Sequence, residues 1–390
     1  MRRSLVVIAL GGCSFHSGSS PQSPDGSNPP DASIEMHDAA AGCGTFSSYT
    51  DTCVLDLSMP MSIGKDAIYN TDTHVLADFP LGTNATTIDQ QIDVSTASGP
   101  MNLILASTFS ISGSSTLHVV GAKAFGVLAG AAVTLDGDID GSADLPGPLA
   151  LLSPAGAVDA THCGTSTPAT PPDHGNGAGG GGGAGFRGHG GDGQQGDGGN
   201  APAAPQGASI AMPAGVRGGC PGGAGGSTTS IANGGAGGGG GAAVYLASAG
   251  TIAIHGGASI NVGGGGGAGG NAFNGAGGGG GSGGMIVLES ITIAVQGTLA
   301  ANGGGGAGGA SNSGGAPGQA GLASAMAASG ASARDPGGPG ADGAAGNKIN
   351  GADDNGDQPD AGGGGGGGAG GFIVLLTQNP SMAGSTISPQ

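Results

Sequence analysis

The chain has no tryptophan, only three tyrosines (Tyr49, Tyr69, Tyr245), and charge on 9% of its 390 residues, where about 25% is usual. Positive charge is scarcest, with eight Lys and Arg against 26 Asp and Glu. Nucleic-acid binding needs the opposite balance, because cations set against phosphates supply most of the affinity; that partner class is excluded. Low charge and few aromatics weigh against a conventional enzyme core, and sugar-stacking tryptophan is absent. No apolar run approaches the roughly 20 residues of a membrane-spanning helix. There is no G-K-[ST] phosphate loop and no C-x-x-C pair of the kind that zinc sites use. No G-x-S-x-G elbow stands with a suitable His and Asp. His162, His174 and His189 lack H-x-x-x-H spacing and read as surface residues. G-x-G-x-x-G recurs, but a quarter-glycine chain produces it by chance, and the dinucleotide fingerprint needs a helix after it.

Glycine dominates what is present, at 95 residues against about 7% in ordinary chains. It is unevenly spread, with 19 in residues 1–176 and 76 in residues 177–390. The start, "MRRSLVVIALGGCSF", has a charged n-region, a short apolar h-region and a small-residue cleavage site. Its "LGGC" resembles the lipobox of bacterial lipoproteins, which implies a signal peptide over 1–12 and a lipid on Cys13. Residues 13–42, rich in Pro, Ser, Gly and Asp, read as a flexible tether. Ser14 after the lipidated cysteine implies outer-membrane sorting, and the expected location is the outer membrane, lipid-anchored, or secreted. The other cysteines are Cys43, Cys53, Cys163 and Cys220. An even number in an exported chain suggests two disulfides, and four cysteines allow three pairings. Proximity favours Cys43–Cys53, which leaves Cys163–Cys220.

Residues 43–100 read as short strands between turns, an N-terminal β segment. From Leu103 five stretches match one another: "LILASTFSISG", "GVLAGAAVTLDG", "VYLASAGTIAIHG", "IVLESITIAVQG" and "IVLLTQNPSMAG", ending at Gly113, Gly137, Gly256, Gly297 and Gly384. Each has an apolar triplet, a small corner and a period-two alternation, which argues strand. The alternation puts Phe109 with Ile111, Val133 with Leu135, Ile252 with Ile254, and Ile293 with Val295 on single faces. One copy cannot bury its own apolar face, whereas stacked copies can share one. The expected fold is therefore all-β: an irregular β-solenoid, with repeats over 101–155 and a glycine-rich region with interspersed strands over 156–390. The glycine inserts leave two readings open, packed polyproline-II-type helices or flexible loops. Collagen is excluded, because no Gly-X-Y period is sustained.

"RGGCPGGAGG", "GGGGSGGMIVLESITIAVQGTLAANGGGGAGG", the C-terminal "GGGGGGAGGFIVLL" and "STLHVVGAKAFGVLAGAAVTLDGDIDGSA" together resemble a group of glycine-rich exported proteins abundant in myxobacteria. The resemblance covers about residues 100–390. It implies a cell-surface or secreted location, and carries over no activity and no catalytic residue.

One motif suggests a metal. "DGDIDGSAD" opens like a calcium loop, with Asp136, Asp138 and Asp140 before Gly141; oxygen ligands suit this hard cation, but its twelfth position is Gly147 where Glu is needed. No cofactor is expected apart from this calcium candidate, against which stands the reading of outward Asp side chains beside a turn, and "DDNGDQPD" is a weaker acidic stretch. The functional expectation is a non-catalytic, lipid-anchored surface protein with a structural, adhesive or matrix-contact role, its partners being the membrane and the envelope or extracellular matrix. The alternatives are a polysaccharide-acting enzyme and an ice- or surface-binding protein.

Overall fold

The computed structural model describes residues 46–80, 84–144, 153–158, 160–229, 232–333, 336–354 and 359–390. The signal peptide, the tether, Cys13 and Cys43 lie outside these residues. Among the described residues no helix is long and apolar enough to cross a membrane.

The first strands are β1 (Met61–Ile63), β2 (Ala67–Asn70), β3 (Val75–Asp78), β4 (Thr86–Thr87), β5 (Gln91–Thr96) and β6 (Gly99–Ile111). There follow β7 (Thr116–Val120), β8 (Ala124–Leu135), β9 (Asp138–Asp140), β10 (Ala243–Ile254) and β11 (Ser259–Asn261). The last are β12 (Met285–Val295), β13 (Thr298–Ala300), β14 (Phe372–Leu376), β15 (Asn379–Ser381) and β16 (Thr386–Ser388). The matched stretches lie side by side in one sheet, in the order β1-β6-β8-β10-β12-β14. Every pairing along that row is parallel. The short strands that follow them form a second sheet, β16-β13-β11-β9-β7-β2-β3-β4.

Equivalent residues stack in columns. Phe109 pairs with Val133, Val133 with Ile252, and Ile252 with Ile293; Ile111, Leu135, Ile254 and Val295 form the next column. These side chains are fully buried and meet Leu117, Val119, Ile139, Ile260 and Leu299 of the second sheet in one core. Burying a side chain of this size stabilises the fold by about 1.5–3 kcal/mol. Before the register shift in mid-strand, Ile104, Leu246 and Leu288 join this core, and the alternate residues Leu103, Tyr245 and Val287 lie on the sheet's other face. Phe46, Tyr49, Leu55, Leu57, Phe186 and Val216 cover them in a second apolar cluster.

The expected irregular β-solenoid does not form. The fold is two sheets, the first mostly parallel and the second mixed. β5 lies antiparallel on β6, and β2, β3 and β4 form antiparallel pairs. A solenoid is also quasi-one-dimensional, each repeat touching only its neighbours. Here the glycine-rich segments between strands bond to segments far along the chain: the N–H of Gly191 donates to Gly367 O, and that of Gly277 to Gly363 O.

The run 276–284 shows how these segments pack. Ala276, Gly279 and Ser282 donate to Gly226, Gly223 and Cys220, and accept from Gly235, Gly238 and Gly241. Gly277, Gly280 and Gly283 donate to Gly363, Gly366 and Ala369, while Gly181 and Ala184 donate to Gly277 and Gly280. Gly278, Gly281 and Gly284 donate to Ala268, Gly265 and Val262, while Ala307 and Gly304 donate to Gly278 and Gly281. Each residue type in this register of three therefore serves one donor neighbour and one acceptor neighbour, giving six surrounding runs. Three residues per turn is the repeat of an extended, polyproline-type backbone, which makes no bonds within itself. The neighbouring runs supply the partners that buried backbone groups require. Glycine is needed because of the spacing: a Cβ on Gly277, Gly279 or Gly280 would lie 2.2, 2.0 and 2.1 Å from the carbonyl oxygens of Ala307, Gly182 and Gly304.

Candidate functional site

Two polar clusters gather around buried tyrosines. The first lies where β2, β5 and β6 meet. The Tyr69 hydroxyl donates to Asn102 Oδ1 at 2.6 Å, and both residues are fully buried. Asn102 Nδ2 donates to Gln91 Oε1 at 2.7 Å and to Asp93 Oδ1 at 2.9 Å. Lys123 Nζ donates to Asp93 Oδ2 at 2.5 Å and lies 3.3 Å from His74 Nε2, while Gln91 Nε2 is 3.1 Å from His74 Nδ1. His74 is delivered by the tight turn after β2, where Asn70 Oδ1 accepts from the N–H groups of Asp72 and Thr73. Its φ of 59° is in the left-handed region, which residues other than glycine seldom enter.

The electrostatics of this cluster follow from its packing. Burial, and then the Asp93 carboxylate, push the Tyr69 phenol up. Burial raises the Asp93 carboxyl, but the bonds from Lys123 and Asn102 outweigh it, and its pKa falls below the usual carboxylate value. The cluster holds one carboxylate, so it does not form the carboxyl pair that most glycoside hydrolases set across a sugar bond.

The second cluster joins the start of the described chain to the sheet. Glu289, one of two glutamates in the sequence, stands on β12 in register with Ala247 and Leu376, on the outward face. It accepts from the Tyr245 hydroxyl at 2.5 Å and from the Ser48 N–H at 3.0 Å and Oγ at 2.5 Å. Ser47 Oγ is 3.0 Å from the Tyr245 hydroxyl. The Tyr49 ring meets the Tyr245 ring edge-on, with centroids 4.9 Å apart. Burial, and then Glu289, push both phenols up. The segment Ser47–Tyr49 is thus fastened to Tyr245 on β10 and Glu289 on β12.

The three aspartates of the expected calcium loop each have a separate partner. Asp136 Oδ1 is 2.6 Å from His255 Nδ1; Asp138 Oδ1 accepts from Ser259 Oγ at 2.7 Å. Asp140 Oδ2 is 3.1 Å from His118 Nδ1, and its Oδ1 accepts from the Ser142 N–H at 3.0 Å. Their partners lie in different places: His255 just after β10, Ser259 on β11 and His118 on β7. Gly147 lies outside the described residues, among which no three His, Cys, Asp or Glu side chains gather as metal ligands. In the weaker acidic stretch, Asp353 Oδ1 accepts from the Asp192 N–H at 2.9 Å.

Cys163 and Cys220 form a disulfide with Cα atoms 5.8 Å apart. The expected Cys43–Cys53 pairing includes Cys43, which is outside the described residues.

No motif in the sequence singles out Tyr69, Tyr245, Glu289, His74 or Lys123 as site residues. Their rarity was the available signal, since a chain with three tyrosines and two glutamates places few of them idly. Comparison with protein families, curated proteins and solved structures finds no match to this chain.

Proposed function

We propose that the protein is a non-catalytic surface module, held to the outer membrane by a lipid on Cys13, with a structural, adhesive or matrix-contact role. The observation that carries this reading is the glycine array. Residues 276–284 are bonded to six surrounding runs, and the close approach leaves no room for side chains on most of their glycines. Such a body offers little chemistry but resists deformation. A module that bears load between a membrane and its surroundings needs that property. The Glu289 cluster supports the same reading, because it fastens the chain nearest the anchor to the sheet.

The test has two parts. Mass spectrometry of the protein from its native envelope is expected to find diacylglycerol on Cys13, and Cys13→Ala is expected to release the protein from membranes. The purified protein is then incubated with acidic and neutral glycans and with ice. Product release abolished by substituting Asp93 would establish the enzymatic alternative, and thermal hysteresis would establish ice binding.

A further inference from the structure

A cleft of about 990 Å³ opens between the β2 and β8 ends of the sheets and the glycine-rich segment that carries the disulfide. Its accessible apolar walls include Pro100, Val158, Ile210 and Pro213, with Asp72 and Arg217 as its charged residues. Asp72 is already engaged, its Oδ2 accepting from the Ala122 N–H at 2.8 Å.

Arg217 differs. Its Nη2 donates to His162 O at 3.3 Å and approaches the sulfurs of Cys163 and Cys220 at 3.4 Å each, all weak acceptors or long contacts for a guanidinium. The group also sits over the buried Phe186 ring, 5.7 Å from its centroid. Its Nε is buried and has no partner. No carboxylate among the described residues pairs with it, in a chain whose acidic residues outnumber Lys and Arg by 26 to 8. Half-burying a cation without a counter-ion is unfavourable, and burial does lower its pKa. An anion in the cleft would reverse that penalty. A guanidinium suits a carboxylate better than other cations do, because its planar fork can bond both oxygens.

From the cleft, its apolar walls and the Arg217 guanidinium, with which no carboxylate among the described residues pairs, we infer that it binds a carboxylate-bearing ligand with an apolar body. Arg217 takes the carboxylate. Pro100, Val158, Ile210 and Pro213, which keep accessible surface, receive the apolar part, as in ligand sites that combine apolar walls with a few polar groups. The Asp72 charge sets the orientation by disfavouring the reverse pose. This inference goes beyond the scaffold reading and does not depend on it.

The probe is 3-phenylpropanoate, titrated into the full-length protein by calorimetry and by ligand-observed NMR. Its amide, glucuronate and inorganic phosphate are the comparison ligands. The acid is expected to bind at least tenfold more tightly than the amide, glucuronate or phosphate. Arg217→Ala is expected to weaken it at least tenfold, and Arg217→Lys to recover only part of the loss. Ala211→Trp places a bulky side chain on an exposed position of the cleft wall; it is expected to weaken binding with the melting temperature unchanged, so the inference stays testable if Arg217→Ala fails to fold. Equal binding of acid and amide would overturn the role of Arg217. Preference for glucuronate or phosphate would overturn the apolar body. No binding of any probe would overturn the site.

Discussion

Replacing Gly279 with alanine tests whether the glycine array holds this protein together. The Gly279 N–H donates to Gly223 O at 2.9 Å, and its carbonyl accepts from the Gly238 N–H at 2.9 Å. An added Cβ would lie 2.0 Å from Gly182 O and 2.4 Å from Gly182 C, both backbone atoms. Carbon and carbonyl oxygen seldom approach within about 3.3 Å, so the two runs must part by about 1.3 Å. With neighbours on every side, that shift moves the run against others and stretches several buried hydrogen bonds. Each buried donor or acceptor left unsatisfied costs about 1–3 kcal/mol, and two or three such groups amount to about 2–9 kcal/mol. That is a large part of the roughly 5–15 kcal/mol that holds a typical domain folded. Gly256→Ala is the matched control, since its Cβ would meet nothing within 4 Å. Stiffening the unfolded chain there is expected to stabilise the protein by up to about 1 kcal/mol. The assay is denaturant unfolding, with hydrogen exchange followed across residues 276–284. Gly279→Ala is expected to lower the midpoint sharply and to remove protection from that run and its neighbours. If its midpoint and protection matched those of Gly256→Ala, the array would not hold the fold together and the packing argument would fail.

Alkaline pH should expose the buried tyrosines. All three phenols have raised pKa values in the folded chain, so below about pH 10 folded and unfolded states hold the same protons, and above it only the unfolded state loses them. Stability is then expected to fall by up to about 1.4 kcal/mol per pH unit for each tyrosine; tyrosinate absorbance that rose near pH 10, ahead of the loss of circular dichroism, would refute this. Glu289→Ala leaves Ser48 without its acceptor and the Tyr245 hydroxyl with Ser47 Oγ in place of the carboxylate, and is expected to destabilise by about 1–3 kcal/mol, with faster proteolytic cleavage in residues 46–57; an unchanged cleavage rate would show that this cluster does not hold the segment. The Cys163–Cys220 bond spans a sequence separation of 57, for which loop closure gives about 4 kcal/mol. The Cys163→Ser, Cys220→Ser double variant should lower the unfolding midpoint accordingly, and a loss under about 1 kcal/mol would place the cross-link outside the cooperative unit.

The strands were legible because their side chains carry a pattern. Phe109 with Ile111 and Ile252 with Ile254 announce one buried face, and those residues do fill the core between the sheets. The second sheet was harder to read, since its strands are as short as Ser259–Asn261 and Thr298–Ala300 and carry only one or two buried positions each. The antiparallel additions at the N-terminal end were not foreseen either, because residues 43–100 show short apolar runs without a register. Hence the solenoid expectation, which extended the local repeat to the whole chain. The polar clusters were invisible for a different reason. Tyr245 and Glu289 meet only because β10 and β12 pair in a register that brings Ala247 opposite Glu289, and a register is a property of two strands together.

The glycine runs contained a further signal that went unread. Residues bearing side chains recur in them at steps of six: Ala178 and Ala184, Ala236 and Ala242, Val262 and Ala268, Ala276 and Ser282, Ala301 and Ala307. Six is two turns of a backbone with three residues per turn, so each pair points to one side of its run. The hydrogen bonds agree, since Ala276 and Ser282 both donate to the run 220–226, at Gly226 and Cys220. The buried Ser282 uses its place to accept the Cys220 N–H on Oγ at 2.8 Å. A flexible linker has no reason to keep alanines in phase, because nothing distinguishes one side of a disordered chain from another. A packed run does, because its neighbours leave room for a Cβ along some lines and not along others. What the phase does not reveal is the partner. Glycine offers no complementarity of size or charge, so Gly191 meeting Gly367 follows from where the strands place the ends of each run and not from any feature of the runs themselves. The side-chain columns of the sheets therefore set the geometry within which the glycine segments find their neighbours.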